Sequence, residues 1–185
     1  MRASRSRLLI SLTALGVASG VSAQTRPPIH GVTGTVATEG TIKSEHKAAN
    51  KIAVATEDGV EHVYTAAKDL LVHGGKSPLG DLREGTTVVV HYTVDQAGAV
   101  AHEIDRVGDE GLKVTEGTVT EIKRGQKEII IRYDSGATEK LELTDRAAVD
   151  EGLDLRNAPP GTTRVVVYYS DEAGRKIAHY FRRKA

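Results

Sequence analysis

Gly85-Thr86-Thr87, followed by Val89-Val90, Tyr92, Asp95 and Ala97-Gly98, recurs 76 residues later as Gly161-Thr162-Thr163, Val165-Val166, Tyr168, Asp171 and Ala173-Gly174. Both copies are rich in β-branched residues and tyrosine, side chains that suit a pleated, half-buried strand. Upstream, Gly34-Thr35-Val36 matches Gly117-Thr118-Val119, and downstream Ala101-His102 matches Ala178-His179. A match along a whole module implies two copies of one fold, each able to bury its own core.

Working outward, every other apolar run reads as a strand. Ile52 to Thr56 and Glu128 to Tyr133 are short β-rich runs. Val60, His62, Tyr64 and Ala66 alternate onto one face, as do Ala137, Glu139, Leu141 and Leu143, and the two leucines mark that face as buried. Asp58-Gly59 and Ser135-Gly136 join strands two and three, where glycine supplies the positive φ of a tight hairpin. Asp95 to Gly98 and Asp171 to Gly174 fit type I turns between strands four and five. Lys68 to Arg83 and Asp145 to Asn157 are longer Leu-containing stretches, each with room for a helical turn.

The order predicted for each module is therefore three strands, a crossover and a hairpin. That is the plan of a five-stranded OB-like barrel, with an SH3-like barrel as the alternative. The fold class expected is all-β, with two tandem small barrels behind an N-terminal signal peptide. The modules resemble the small OB-like domains of unknown function that recur in exported bacterial proteins. The residues behind this are the opening Gly-Thr-Val, the Asp-Gly hairpin, Leu82 to Thr86, and a closing strand with Ala-His and a hydrophobic residue. The second copy departs at Ala158-Pro159-Pro160-Gly161, where Leu82 has no matching leucine.

The N-terminus reads as an export signal. Arg2, Arg5 and Arg7 precede the apolar stretch Leu8 to Ala18, and Val21-Ser22-Ala23 offers a small-x-small cleavage site. The expected divisions are a signal peptide at 1–23, an extended leader at 24–30, a first barrel at 31–107, a linker at 108–114 and a second barrel at 115–185. The predicted destination is the periplasm or the extracellular medium, with no membrane span in the mature chain, since the apolar run is short for a bilayer.

Without residues 1–23 the chain carries 22 basic and 25 acidic residues, a formal charge of −3. That sign argues against a nucleic-acid partner, which calls for a basic footprint. Aromatic residues make up only 4% of the chain, too few for the stacking platforms of single-strand binders. The chain has no cysteine, so packing and backbone pairing must hold it together. No catalytic signature is present. Gly75-Lys76-Ser77 resembles the end of a phosphate-binding loop, but Leu70 stands where the first glycine belongs. Asp150, Glu151 and Asp154 lie in a turn-rich stretch that suits solvated carboxylates. The reading is a non-enzymatic binding or structural module without a cofactor, whose partner is an envelope protein or a polysaccharide.

Two sets of candidate site residues remain. Between strands one and two the offset between copies changes from 83 to 77, which implies six extra residues around Gly40 to Asn50 in the first module. That loop contacts ligands in OB folds, so Lys43, Glu45, His46 and Lys47 become ligand-binding candidates. Six of the seven histidines fall in or beside the first module, and imidazole suits zinc and copper. The alternative function is therefore a periplasmic metal-binding protein using His46, His62, His91 and His102. His102 and His179 occupy matching positions, each two residues before a hydrophobe (Ile104, Phe181), as packed, hydrogen-bonded barrel-edge histidines would.

Overall fold

A computed structural model describes residues 36–46, 50–74, 82–150, 159 and 161–184. The first strands are β1 (Val36–His46), β2 (Lys51–Thr56), β3 (Glu61–His73), β4 (Thr87–Asp95) and β5 (Gly98–Arg106). The second set is β6 (Lys113–Lys123), β7 (Glu128–Arg132), β8 (Thr138–Leu143), β9 (Arg164–Glu172) and β10 (Arg175–Arg183), with one short helix, α1 (Ala147–Asp150). Each set closes into a barrel, in the orders β1-β2-β3-β5-β4 and β10-β8-β7-β6-β9. In each, the first strand pairs with the second and fourth, and the third runs parallel to the fifth. This is the OB-like arrangement. The segments expected as signal peptide (1–23) and leader (24–30) lie outside the described residues, and no helix among the described residues is long and apolar enough to cross a membrane.

Each barrel is filled by its own inward faces. Ile42, Ile52, Val54, Tyr64, Val90 and Ile104 build the first core; Val119, Ile129, Ile131, Leu141, Val167 and Phe181 build the second. The expected buried face of the third strands holds at Tyr64, Ala66, Leu141 and Leu143. At the hairpins, Gly59 and Gly136 have φ of +78° and +84°, the left-handed conformation that a Cβ would strain.

The internal repeat differs from its first appearance in the sequence. Gly40, not Gly34, is the counterpart of Gly117: Gly40 pairs with Val88 as Gly117 pairs with Val165. Both glycines lie where the neighbouring strand crowds the backbone, since a Cβ would meet Val54 and Ala55 at Gly40, and Arg132 and Ile131 at Gly117. The connection from β1 to β2 consequently has the same length as that from β6 to β7, and the six-residue insertion is absent. Strand four shifts likewise, because Val88 and Val90 are the core partners of Val165 and Val167, while His91 is the counterpart of Tyr168. A run of three valines beside aromatic residues tolerates a one-residue slip without losing identities. Such a slip nevertheless moves every side chain to the opposite face.

Two local expectations also change. Residues Lys68 to His73 extend β3 rather than turning into a helix, and Leu71 to His73 pair in parallel with β5 after an irregularity that follows Ala66. Among the described residues of the two crossovers, a helical turn forms in the second, as α1. The loop between β9 and β10 is a two-residue turn with Ala173 at φ +50° and Gly174 at φ +81°, the type I′ geometry favoured by hairpin twist.

Candidate metal centre

Register alone gathers the polar residues on the outer face of the first barrel. In the parallel β3–β5 pair His73 lies opposite Asp105 and Leu71 opposite Glu103. In the antiparallel β4–β5 pair His91 lies opposite Glu103, and Val89 opposite Asp105. His73, His91, Glu103 and Asp105 thus share a face, while Ile104 between the two acids points into the core. Such a face is normally solvated. Here it is covered by the second barrel, through a small apolar contact of Val89, Leu112, Val166 and Tyr168.

The second barrel contributes His179 by means of a bulge. Ala178 pairs with Tyr169 and Tyr180 with Tyr168, leaving His179 as the extra residue of β10. Bulges re-aim side chains. Phe181 fills the second core, whereas His179 faces the carboxylates of the first barrel. The same bulge occurs at His102 on β5. Both histidines bond a hydroxyl on the adjacent strand, His102 Nε2 to Thr93 Oγ1 at 2.9 Å and His179 Nε2 to Ser170 Oγ at 3.0 Å. The duplicated hydrogen bond survives, but only His179 meets the other barrel.

The cluster is tight. His73 Nδ1 lies 3.3 Å from Asp105 Oδ1 and 3.9 Å from Glu103 Oε1. His179 Nδ1 lies 3.6 Å from Asp105 Oδ2 and 3.9 Å from Glu103 Oε1. One ligand atom from each of these four residues falls within 4.8 Å of every other. A tetrahedral cation bonded at about 2.0–2.1 Å to nitrogen or oxygen sets its ligand atoms about 3.3–3.5 Å apart. The four His–carboxylate distances, 3.3–3.9 Å, lie close to that spacing, and the set as a whole falls within 4.8 Å. His91 Nε2 stands 3.4 Å from Asp105 Oδ2, behind the carboxylate.

Asp105 is the unusual member. Its side chain is 0% exposed, and its oxygens face three imidazole nitrogens, of His73 at 3.3 Å, His91 at 3.4 Å and His179 at 3.6 Å. Isolated buried carboxylates are costly, so a cation must compensate it. Burial pushes its pKa up, but the facing His179 and His91 imidazoles outweigh burial and hold it well below the usual carboxylate range. At Glu103, burial again opposes ionisation while His179 leads the interactions that lower the pKa; Asp105 pushes it back up, and the net direction is down. Arg146, just before α1, adds an Nε contact of 2.6 Å to Glu103 Oε2, so the other carboxylate oxygen stays with the cluster.

The tautomer of His179 follows from its neighbours. Ser170 Oγ donates to Glu172 Oε1 at 3.0 Å, so it accepts from His179 Nε2–H. Nδ1 is left facing two carboxylates, where it must carry either a proton or a metal. Burial disfavours the imidazolium, but Asp105 and Glu103 outweigh that and raise its pKa to about 9. The Glu172–Ser170–His179 relay is the outer support that metal-bound histidines use to fix ring orientation.

The residues singled out in the sequence fare differently. His91 enters the cluster. His62 is half-buried on β3, with its ring 6.3 Å from that of Tyr64, and His102 is engaged by Thr93. Lys43 is exposed on β1, while Glu45 and His46 close that strand opposite Ile52 and Lys51. Lys47 lies outside the described residues. Sequence reasoning did not group His73, Glu103, Asp105 and His179 into one cluster. The available signal was Glu103-Ile104-Asp105, two acids alternating around a core isoleucine on a closing strand.

No known protein family matches the chain, and no curated protein matches it in sequence. Among solved structures it is similar to silver-bound CusF, at 10% identity and a TM-score of 0.33, over 39% of this chain and 96% of that one. Silver-bound CusF residues 10–88 from Escherichia coli match at the same identity and score, over 39% and 90% of the two chains. Apo-CusF residues 6–88 from Escherichia coli match at 10% identity and a TM-score of 0.33, over 46% and 95%. Likeness at that level extends to neither ligand nor function.

Proposed function

We propose that this is an exported, non-enzymatic metal-binding protein that holds one divalent first-row cation, of the zinc type, between its two barrels. The carrying observation is Asp105, a fully buried carboxylate faced by imidazole nitrogens from both barrels and grouped with Glu103 within metal-ligand reach. His73, Glu103, Asp105 and His179 would hold the ion. The donor set is two nitrogens and two oxygens, which suits zinc and its divalent neighbours. It lacks the thiolate or thioether that soft Cu(I) prefers, for the chain has no cysteine and its one methionine is Met1. Four protein donors also complete a tetrahedral shell, the pattern of structural rather than catalytic zinc sites. The N-terminal sequence supports export. The His73 side chain, 45% exposed, supplies the route by which an ion exchanges with solvent.

Calorimetric titration of zinc into chelator-stripped protein tests this reading. One saturable site is expected, weakened about tenfold or more in His179→Ala and His73→Ala. His62→Ala and His102→Ala should bind as the parent does. Absence of saturable binding, or binding indifferent to His179→Ala, would overturn the proposal.

A further inference from the structure

We infer that the metal ion is the clasp that fixes the two barrels in one orientation, which the metal-free contacts alone hold less tightly; this rests on the site reading above. Three ligands, His73, Glu103 and Asp105, stand on adjacent strands of the first barrel, and the fourth, His179, stands on β10 of the second. An ion that takes all four cannot be bound by either barrel alone. Each barrel is closed and has its own core, so neither needs the other to satisfy its strands.

What joins the barrels otherwise is modest. The apolar contact buries four side chains, Val89, Leu112, Val166 and Tyr168. Glu39 of the first barrel accepts from Tyr168 and pairs with Arg182 at 3.2 Å. Arg146 reaches Glu103. Docking also takes out of water Glu103 and Asp105, which already repel one another side by side on β5, and sets His179 and Arg146 against them. A divalent ion reverses the sign of that interaction and adds directional bonds that set one orientation. Without it, the apolar contact resembles a transient interdomain patch, for which relative motion is the default.

The chain has no cysteine, so one spin label can be placed on each barrel at exposed positions by Val63→Cys with Gln126→Cys. Pulsed dipolar spectroscopy on the full chain should give a broader label–label distribution in EDTA than with stoichiometric zinc, where it is single and narrow. Adding His179→Ala should leave the distribution broad in both conditions. Calorimetry on the same labelled protein separates the two claims. Zinc binding with an unchanged distribution would refute the clasp and leave the site standing, as would narrowing that persists in His179→Ala. No zinc binding at all would remove the site and the clasp together.

Discussion

Asp105→Asn is the substitution that reads the cluster most directly, since it keeps the shape of the side chain and deletes its charge. In metal-free protein the carboxylate is the counter-charge for His179, which Glu103 shares at 3.9 Å. Removing one partner of a buried pair costs about 3–5 kcal/mol. Because Glu103 remains, the lower end applies, about 3 kcal/mol. For a protein of this size that lowers Tm by about 6–12 °C. The midpoint in urea falls by about 1–3 M.

The pH dependence fixes the cause. Asp105 is depressed from 3.8, so its contribution is present above that value and is lost as pH falls through its lower folded pKa. His179 is raised from 6.5 to about 9, so its contribution is complete below 6.5 and disappears as pH rises through 9. The gap between parent and variant should therefore be widest between pH 4 and 6.5 and should close on both sides. Adding zinc at about a hundred times its Kd stabilises the parent by a further ~2.7 kcal/mol and the variant by much less. Urea unfolding in EDTA across pH, repeated with zinc, supplies every number. An Asp105→Asn protein as stable as the parent at pH 6 in EDTA would refute the claim that the carboxylate is held by facing cations.

Further measurements address the framework. Gly40→Ala places a Cβ 2.5 Å from Val54 Cγ1 and 2.6 Å from the Ala55 carbonyl, while Gly117→Ala comes no nearer than 3.0 Å, to the Arg132 carbonyl. Overpacking at Gly40 should cost about 1–3 kcal/mol, and Gly117→Ala less, by thermal unfolding; the reverse order would contradict the geometry. Tyr64 and Tyr168 have pKa values pushed up by burial, with Glu39 adding to the effect at Tyr168. They should stay protonated above pH 10 in a tyrosinate absorbance titration. Their contribution is present below pH 10 and drains away above it. Tyr168→Phe should lower stability by about 1–2 kcal/mol, since Glu39 then loses a donor at the barrel contact.

The strands and their order were legible because each barrel repeats the same periodicities twice. The site was not, for two reasons that can be traced to residues. His73 sits seven residues beyond the alternating run Val60 to Ala66, in a stretch whose leucines suggested a crossover rather than a continuing strand. His179 reaches the cluster only because a bulge breaks alternation on β10, and a period of two assigns it to the side of Phe181. Bulges leave no mark in hydrophobic pattern, because the extra residue is polar on either assignment. His91 was singled out for its residue type, and its packing against Asp105 depends on a one-residue register that identities alone placed wrongly.

Correct register also exposes how the two copies have diverged. Equivalent outward positions carry His91 and Tyr168, Glu103 and Tyr180, Asp105 and Arg182, each separated by 77 residues. The inward positions keep their character: Val88, Val90 and Ile104 answer to Val165, Val167 and Phe181. Two copies that folded and functioned independently would have no reason to become acidic on one face and basic-aromatic on its counterpart. Complementary charge on two covered faces instead lets each copy supply what the other lacks, as Arg182 does for Glu39 and His179 for Asp105. His102 and His179 make the point within one pair, because their hydroxyl bonds are the same and only the neighbour across the contact differs. The cluster is thus a property of the duplication, and a single barrel with every one of its own residues intact would still hold an incomplete site.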